Sequence, residues 1–195
     1  MMSKTQLSLH NPLQNITRRQ FVKAGFGAVL LCAAPWPAWA KQLLDNRSER
    51  FLSLYNTHTG EKLSKVVYWQ RGIYLRESLR DIDYLLRDHR TDETMRIDAG
   101  ALDVMFALRE KFPVGKPFEI ISGYRSPETN RTLRKASSGV AKTSFHTRGQ
   151  AVDLRLPGVP LNKLRTAALQ MKRGGVGYYP KSDFIHIDTG PVRSW

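Results

Sequence analysis

Side chains able to bind a metal stand in two short segments of this 195-residue chain. The first segment, Ser144-Phe145-His146-Thr147-Arg148-Gly149-Gln150-Ala151-Val152-Asp153-Leu154, carries a histidine and, seven residues on, an aspartate. The second, Asp183-Phe184-Ile185-His186-Ile187-Asp188, carries another histidine between two acids. His146, Asp153 and His186 together offer two imidazoles and a carboxylate to one zinc ion. Three N/O donors plus a water is the composition of a catalytic rather than a closed structural zinc site.

Strand periodicity sorts these residues by face. In 150–156, Val152, Leu154 and Leu156 point one way and are apolar, while Ala151, Asp153 and Arg155 point the other. In 184–188, Ile185 and Ile187 turn inward, and Phe184, His186 and Asp188 turn outward. If the two strands are neighbours, Asp153 and His186 converge. His146 then folds back over them through a sharp bend at Gly149, a residue free to take such a conformation.

Asp183 precedes His186 by three residues, the wrong parity to share its face in a regular strand. It belongs to a turn or bulge, from which it can reach the attacking water as a general base without binding the metal. Arg125, in Ser122-Gly123-Tyr124-Arg125-Ser126, follows an apolar strand at a rim and can stabilise a developing oxyanion. Taken singly these residues mean less. Asp153 alone could cap a turn, Arg125 alone could be a surface charge, and His58 and His89 read as structural or solvated.

The elements that must hold these groups follow from pattern. Alternation gives strands at 51–55 and 63–69, joined around Thr59-Gly60 as a hairpin. Helical spacing of apolar residues marks 77–87 and 98–111, the second capped by Asp98 and stopped by Pro113, with Ala101, Val104, Met105, Leu108 and Phe112 on its buried stripe. A buried strand at 118–121 precedes a helix opened by Ser126-Pro127-Glu128. Residues 135–144 read as a flexible loop over the site. A helix at 161–171 stops at Gly174-Gly175, and strands at 176–179 and 184–188 finish the sheet. The fold class is α+β, a single domain with a mainly antiparallel sheet flanked by helices.

Charge and the leader bound the setting. The net charge is +14, and the first forty residues contribute Lys4, Arg18, Arg19 and Lys23 and no acid, so 41–195 carries +10. Such a body favours polyanionic surroundings. Thr17-Arg18-Arg19-Gln20-Phe21-Val22-Lys23 matches a twin-arginine export motif. An apolar run and Ala38-Trp39-Ala40 complete a cleavable leader over 1–40, leaving one zinc-site domain at 41–195 with a loose start at 41–46 and no stable membrane anchor. The single cysteine, Cys32, falls inside that leader, which excludes a disulfide framework and a cysteine-based zinc finger from the rest. No nucleic-acid-binding motif accompanies the basic charge.

The pattern Ser144-x-His146-x-x-Gly149-x-Ala151-x-Asp153, with the upstream Gly123-Tyr124-Arg125-Ser126 and a late acid-x-x-His, resembles the zinc D-Ala-D-Ala peptidases of the VanX/VanY type, which share their fold with the hedgehog signalling domain. The resemblance covers roughly 95–190. It implies His146, Asp153 and His186 as zinc ligands, Asp183 as general base and Arg125 as the stabiliser on the carbonyl side. VanX-type members carry Glu where Asp183 stands, and some relatives carry a second histidine where Asp188 stands. The leader and the ending His186-Ile187-Asp188-Thr189-Gly190-Pro191-Val192-Arg193-Ser194-Trp195 are closer still to periplasmic murein endopeptidases. That implies an enzyme acting on peptidoglycan cross-links in the periplasm, preferentially the L,D bond between two meso-diaminopimelate residues; a monomer is expected. A D,D-carboxypeptidase or D,D-endopeptidase with the same metal chemistry, and a non-catalytic wall-binding module on the same fold, are the alternatives.

Overall fold

A computed structural model describes residues 36–136 and 141–195. The twin-arginine motif, the apolar run with Cys32, and the middle of the 135–144 loop lie outside the described residues.

The first described element is helix α1, Ala38–Asp45. Residues 41–46 are therefore mostly helical rather than a loose start. Ala40 and Leu44 are buried, and Trp36 and Trp39 pack against the core. This apolar side chain set at i and i+4 is enough to dock a short amphipathic turn. The helix runs across the expected leader boundary at 40–41.

Strands β1 (Glu49–Asn56) and β2 (Lys62–Gln70) form the expected hairpin, and a short β3 (Ile73–Tyr74) pairs with β2. Helices α2 (Arg76–Leu85) and α3 (Ala99–Lys111) follow, then β4 (Phe118–Ser122) and α4 (Pro127–Ala136). A 3-10 turn, Phe145–Arg148, leads into β5 (Ala151–Arg155). Helix α5 (Leu161–Met171), β6 (Gly175–Tyr179), a second 3-10 turn (Pro180–Ser182), β7 (Phe184–Asp188) and β8 (Arg193–Ser194) complete the chain.

Among the described residues, eight strands join one sheet in the order β3-β2-β1-β4-β5-β7-β6-β8. Only β1 with β4 and β6 with β8 are parallel pairs, so the sheet is mainly antiparallel, as the α+β reading requires. Among the described residues, no helix is long and apolar enough to cross a membrane.

Helix α3 is buried on every side from Ala101 to Leu108, not along a single stripe, because it contacts β1, α1 and α5. A helix apolar nearly all round belongs in the core. Its start is fixed as the sequence indicates: the Asp98 carboxylate accepts the Gly100 N–H at 2.7 Å. Its one buried acid, Asp103, accepts Arg50 Nη1, Tyr68 Oη and Tyr74 Oη, each at 2.9 Å. Burial and the nearby Asp103 charge push the Tyr74 phenol up to about 12. Helix α5 ends with Lys172 in the left-handed conformation, so its stop comes before Gly174 and a non-glycine residue carries the turn.

Candidate metal centre

The centre of the sheet presents the candidate residues. β5 and β7 are antiparallel neighbours whose register places Asp153 directly opposite His186. Val152, Leu154, Ile185 and Ile187 fill the other face and are buried, as alternation requires. Asp153 thus stands on a strand held from both sides, by β4 and by β7.

His146 reaches the same point from the 3-10 turn. Ser144 caps that turn by accepting the His146 N–H, and Gly149 ends it with φ +66°. A Cβ on Gly149 would come within 2.2 Å of the Arg96 carbonyl oxygen, so the position excludes any side chain on two grounds. The Gly149 carbonyl in turn accepts the Asp98 N–H at 2.8 Å, tying the turn to the start of α3.

Three atoms meet. His186 Nδ1 lies 2.8 Å from Asp153 Oδ1, His146 Nε2 lies 3.2 Å from the same oxygen, and the two ring nitrogens are 3.1 Å apart. The outer nitrogens fix the tautomers. His146 Nδ1 is 2.7 Å from the Gly123 carbonyl, which can only accept, so Nδ1 carries the proton. His186 Nε2 is 3.0 Å from Asp188 Oδ2, a carboxylate. In the neutral rings the inward nitrogens are therefore both lone pairs, and they face a carboxylate oxygen. Three acceptors aimed at one point require positive charge between them, and a divalent cation meets all three where one proton cannot. His146, Asp153 and His186 are the one such cluster among the described residues. The histidine–carboxylate and histidine–carbonyl contacts behind them orient the rings as outer partners of metal ligands do.

The electrostatics agree with this geometry. Burial raises the Asp153 carboxyl, but the two histidines outweigh it and hold the group well below the carboxylate range. Burial pushes the His146 ring down against the pull of Asp153. His186 is also desolvated, yet the Asp153 and Asp188 carboxylates, which accept from its ring, carry its net shift upward. The triangle is an environment that attracts cations.

Arg125 and the two flanking acids take distinct places. Arg125 Nη2 donates to Asp153 Oδ2 at 2.5 Å and its Nε donates to Ser122 Oγ at 2.9 Å, so the guanidinium clamps the oxygen of Asp153 that faces away from the histidines. Asp188 is buried behind His186. Its two oxygens accept from His186, Arg193, Gly175 N–H and Gly190 N–H. Every lone pair is engaged on the far side of the ring, so Asp188 orients His186 and cannot face the cavity. Asp183 occupies the predicted turn before β7, with φ +52°. Its side chain is 64% exposed, and Oδ2 accepts Arg155 Nη1 at 3.3 Å. It is neither among the three converging atoms nor among the residues that line the cavity above them.

The cavity above the cluster has a volume of about 560 Å³. Arg125, His146, Asp153 and His186 line it, joined by Tyr179, Phe184, Arg193 and Trp195. Sequence reasoning assigned no site role to Tyr179, or to Arg193 and Trp195 of the closing segment. A parity signal existed only for Phe184, which shares the His186 face. His58 and His89 lie away from this cavity, stacked on each other with centroids 3.9 Å apart.

An α+β sheet that presents a His/Asp/His cluster at the floor of an open cleft defines a metallopeptidase-like centre. Residues 45–195 match the family model described as peptidoglycan L,D-endopeptidase MepK, and the chain belongs to that family. The peptidoglycan L,D-endopeptidase MepK of Escherichia coli K12 is 44% identical over 178 residues, covering 91% of this chain and 96% of that protein. The protein of the same name in Shigella flexneri is likewise 44% identical, with the same coverage. A probable peptidoglycan L,D-endopeptidase MepK from Haemophilus influenzae Rd is 38% identical over 170 residues, covering 87% of this chain and 91% of its own.

Proposed function

We propose that this protein is a zinc-dependent murein endopeptidase that hydrolyses peptidoglycan cross-links, preferentially the L,D bond between two meso-diaminopimelate residues. The observation that carries the reading is the meeting of three lone-pair donors, His146 Nε2, Asp153 Oδ1 and His186 Nδ1, on the floor of a cleft open to a peptide. The family membership and the names of the relatives supply the substrate class. A net charge of +10 over 41–195 suits a wall whose stem peptides bear free carboxylates.

His146, Asp153 and His186 would hold the ion. Zinc, when bound, supplies Lewis acidity that polarises the scissile carbonyl and acidifies the attacking water. The protein's own groups do the rest. Asp183 is the general base: it takes the proton from the attacking water and returns it to the leaving amine. Its exposure and its single long contact with Arg155 leave the carboxylate free to turn toward the cavity. Arg125 has Nε and Nη2 committed to Ser122 and Asp153, and Nη1 is the atom that would meet the developing oxyanion. Asp188 and the Gly123 carbonyl keep both imidazoles in the ligating tautomer.

Thr17 to Lys23 supports export to the periplasm by the twin-arginine pathway, where the substrate lies. Elemental analysis of purified protein tests the metal assignment. About one zinc per wild-type chain and almost none in His146→Ala is the expected result, since one of three protein donors is gone. Equal zinc in both would remove His146 from the ligand set.

A further inference from the structure

Trp195 has no role in the chemistry above, yet the fold builds a niche for it at the metal centre. Its ring lines the cavity, with its centroid 5.2 Å from that of His186. Three hydrogen bonds fix the residue. Its N–H donates to the Val176 carbonyl at 3.3 Å, its own carbonyl accepts the Tyr178 N–H at 3.0 Å, and the indole Nε1–H donates to Tyr179 Oη at 2.8 Å.

Gly177 is the floor of this niche. A Cβ there would stand 2.8 Å from Trp195 Cε2 and 2.9 Å from Nε1, closer than real side chains pack. Arg193 is the side wall. Its guanidinium lies 4.9 Å from the Trp195 ring and 4.9 Å from the Phe145 ring, while Nη1 and Nη2 are bound by Asp188. The Arg193 charge is thereby neutralised and its planar group serves as packing.

The residue so held remains 47% exposed. A core tryptophan would be covered; one anchored on its edge and left open on a cavity is arranged as a contact surface. The sheet order adds direction. Arg125 follows β4 and Trp195 lies beside β6, so the two stand on opposite sides of the β5–β7 pair that carries Asp153 and His186. A peptide whose scissile carbonyl met Arg125 would thus have the indole within the same cavity, beyond Asp153 and His186.

We infer that Trp195 is a specificity-determining residue, whose indole face receives the aliphatic arm of the substrate residue on the side of the scissile bond away from Arg125. The methylenes of a long diamino-acid side chain lie on the ring, and its charged end stays in water. The inference rests on the peptidase reading for the identity of the substrate, and not for the shape of the niche.

The test compares wild type, Trp195→Phe and Trp195→Ala, each assayed for zinc. Hydrolysis of purified cross-linked muropeptide dimers gives KM and kcat. Binding of the monomeric tetrapeptide muropeptide, followed by calorimetry, gives an affinity that needs no turnover. Trp195→Ala should raise KM and weaken tetrapeptide binding by about tenfold, with kcat within about threefold and zinc retained, because a buried aromatic–aliphatic contact is lost. Trp195→Phe keeps a ring and should stay within about threefold of wild type in both. Unchanged KM and affinity in Trp195→Ala overturn the inference, and so does loss of zinc in Trp195→Phe, which would make the ring a support for His186. If the wild type cleaves no dimer yet tetrapeptide binding still weakens tenfold in Trp195→Ala, the peptidase reading fails and the Trp195 contact stands.

Discussion

Asp153 and His186 are direct cross-strand partners, and the histidine presents Nδ1 to the carboxylate at 2.8 Å while its other nitrogen is bound by Asp188. Two strands therefore supply both a pair of candidate metal donors and the outer carboxylate that fixes one of them. Arg193 and two backbone N–H groups then hold that outer carboxylate in place. The centre is preorganised by strand pairing and not by loops.

This arrangement separates the two acids that flank His186. Asp183→Ala should keep its zinc and lose about a hundredfold to ten-thousandfold in turnover, the range of a general base. Asp188→Ala should instead weaken zinc binding by about ten- to a hundredfold, since it removes the partner that sets the His186 tautomer. Zinc content and dimer hydrolysis measured on the same preparations distinguish them. The reverse pattern would exchange the roles assigned here.

Much of this site was legible in the sequence, and the reason is parity. Alternation alone put Asp153 and His186 on polar faces and their apolar neighbours inward, and an antiparallel pairing in register was the one additional fact needed. Gly149 was legible for the same kind of reason, since a bend between ligand-bearing segments needs a residue without a side chain. What alternation cannot give is who stands across a third strand. The Gly123 carbonyl behind His146 and Trp195 beside His186 come from segments 23 and 9 residues away from the groups they touch, and neither has a periodic signature. The full burial of α3 was missed because a helix reads as one-sided until α1 and α5 are known to cover its other faces. α1 itself was hidden by the small-x-small pattern at Ala38-Trp39-Ala40, which reads as a cleavage signal and also packs as a helix.

The Gly149 turn is a point where one methyl group should be felt throughout the centre. Gly149→Ala forces a Cβ into the Arg96 carbonyl at a left-handed backbone position. It should cost about 2 kcal/mol or more of unfolding free energy, as strain of this kind does. Urea unfolding of the mutant and wild type provides the measurement, with zinc content falling as the His146 turn shifts. A stability loss under about 0.5 kcal/mol, the size of an ordinary surface change, would mean the turn relaxes freely.

Acid stability should report Asp88, which holds the start of α4 through the Ser126 N–H at 2.8 Å and also accepts the Arg90 N–H at 3.0 Å. Burial raises this carboxyl, and hydrogen bonds from Thr129, Arg90 and Ser126 outweigh it, so the folded-state pKa is lowered. A depressed carboxylate stabilises the fold above its unfolded pKa, about 3.9, and that contribution disappears as pH falls through the folded value. Asp88→Asn should therefore be less stable than wild type at pH 7, with the gap narrowing below about pH 4. A gap that is constant from pH 7 to pH 2 would show that the charge of Asp88 contributes nothing.

The most direct test of the account is mass spectrometry of the products formed from purified, L,D-cross-linked muropeptide dimers by the zinc-loaded protein. The account predicts that the dimer is split by addition of one water into two stems, at the bond between the diaminopimelate residues. It also predicts that His146→Ala leaves the dimer intact. Zinc-loaded wild-type protein that binds the dimer and returns it uncleaved, over times in which a murein peptidase would consume it, would contradict the assignment of catalysis to this site.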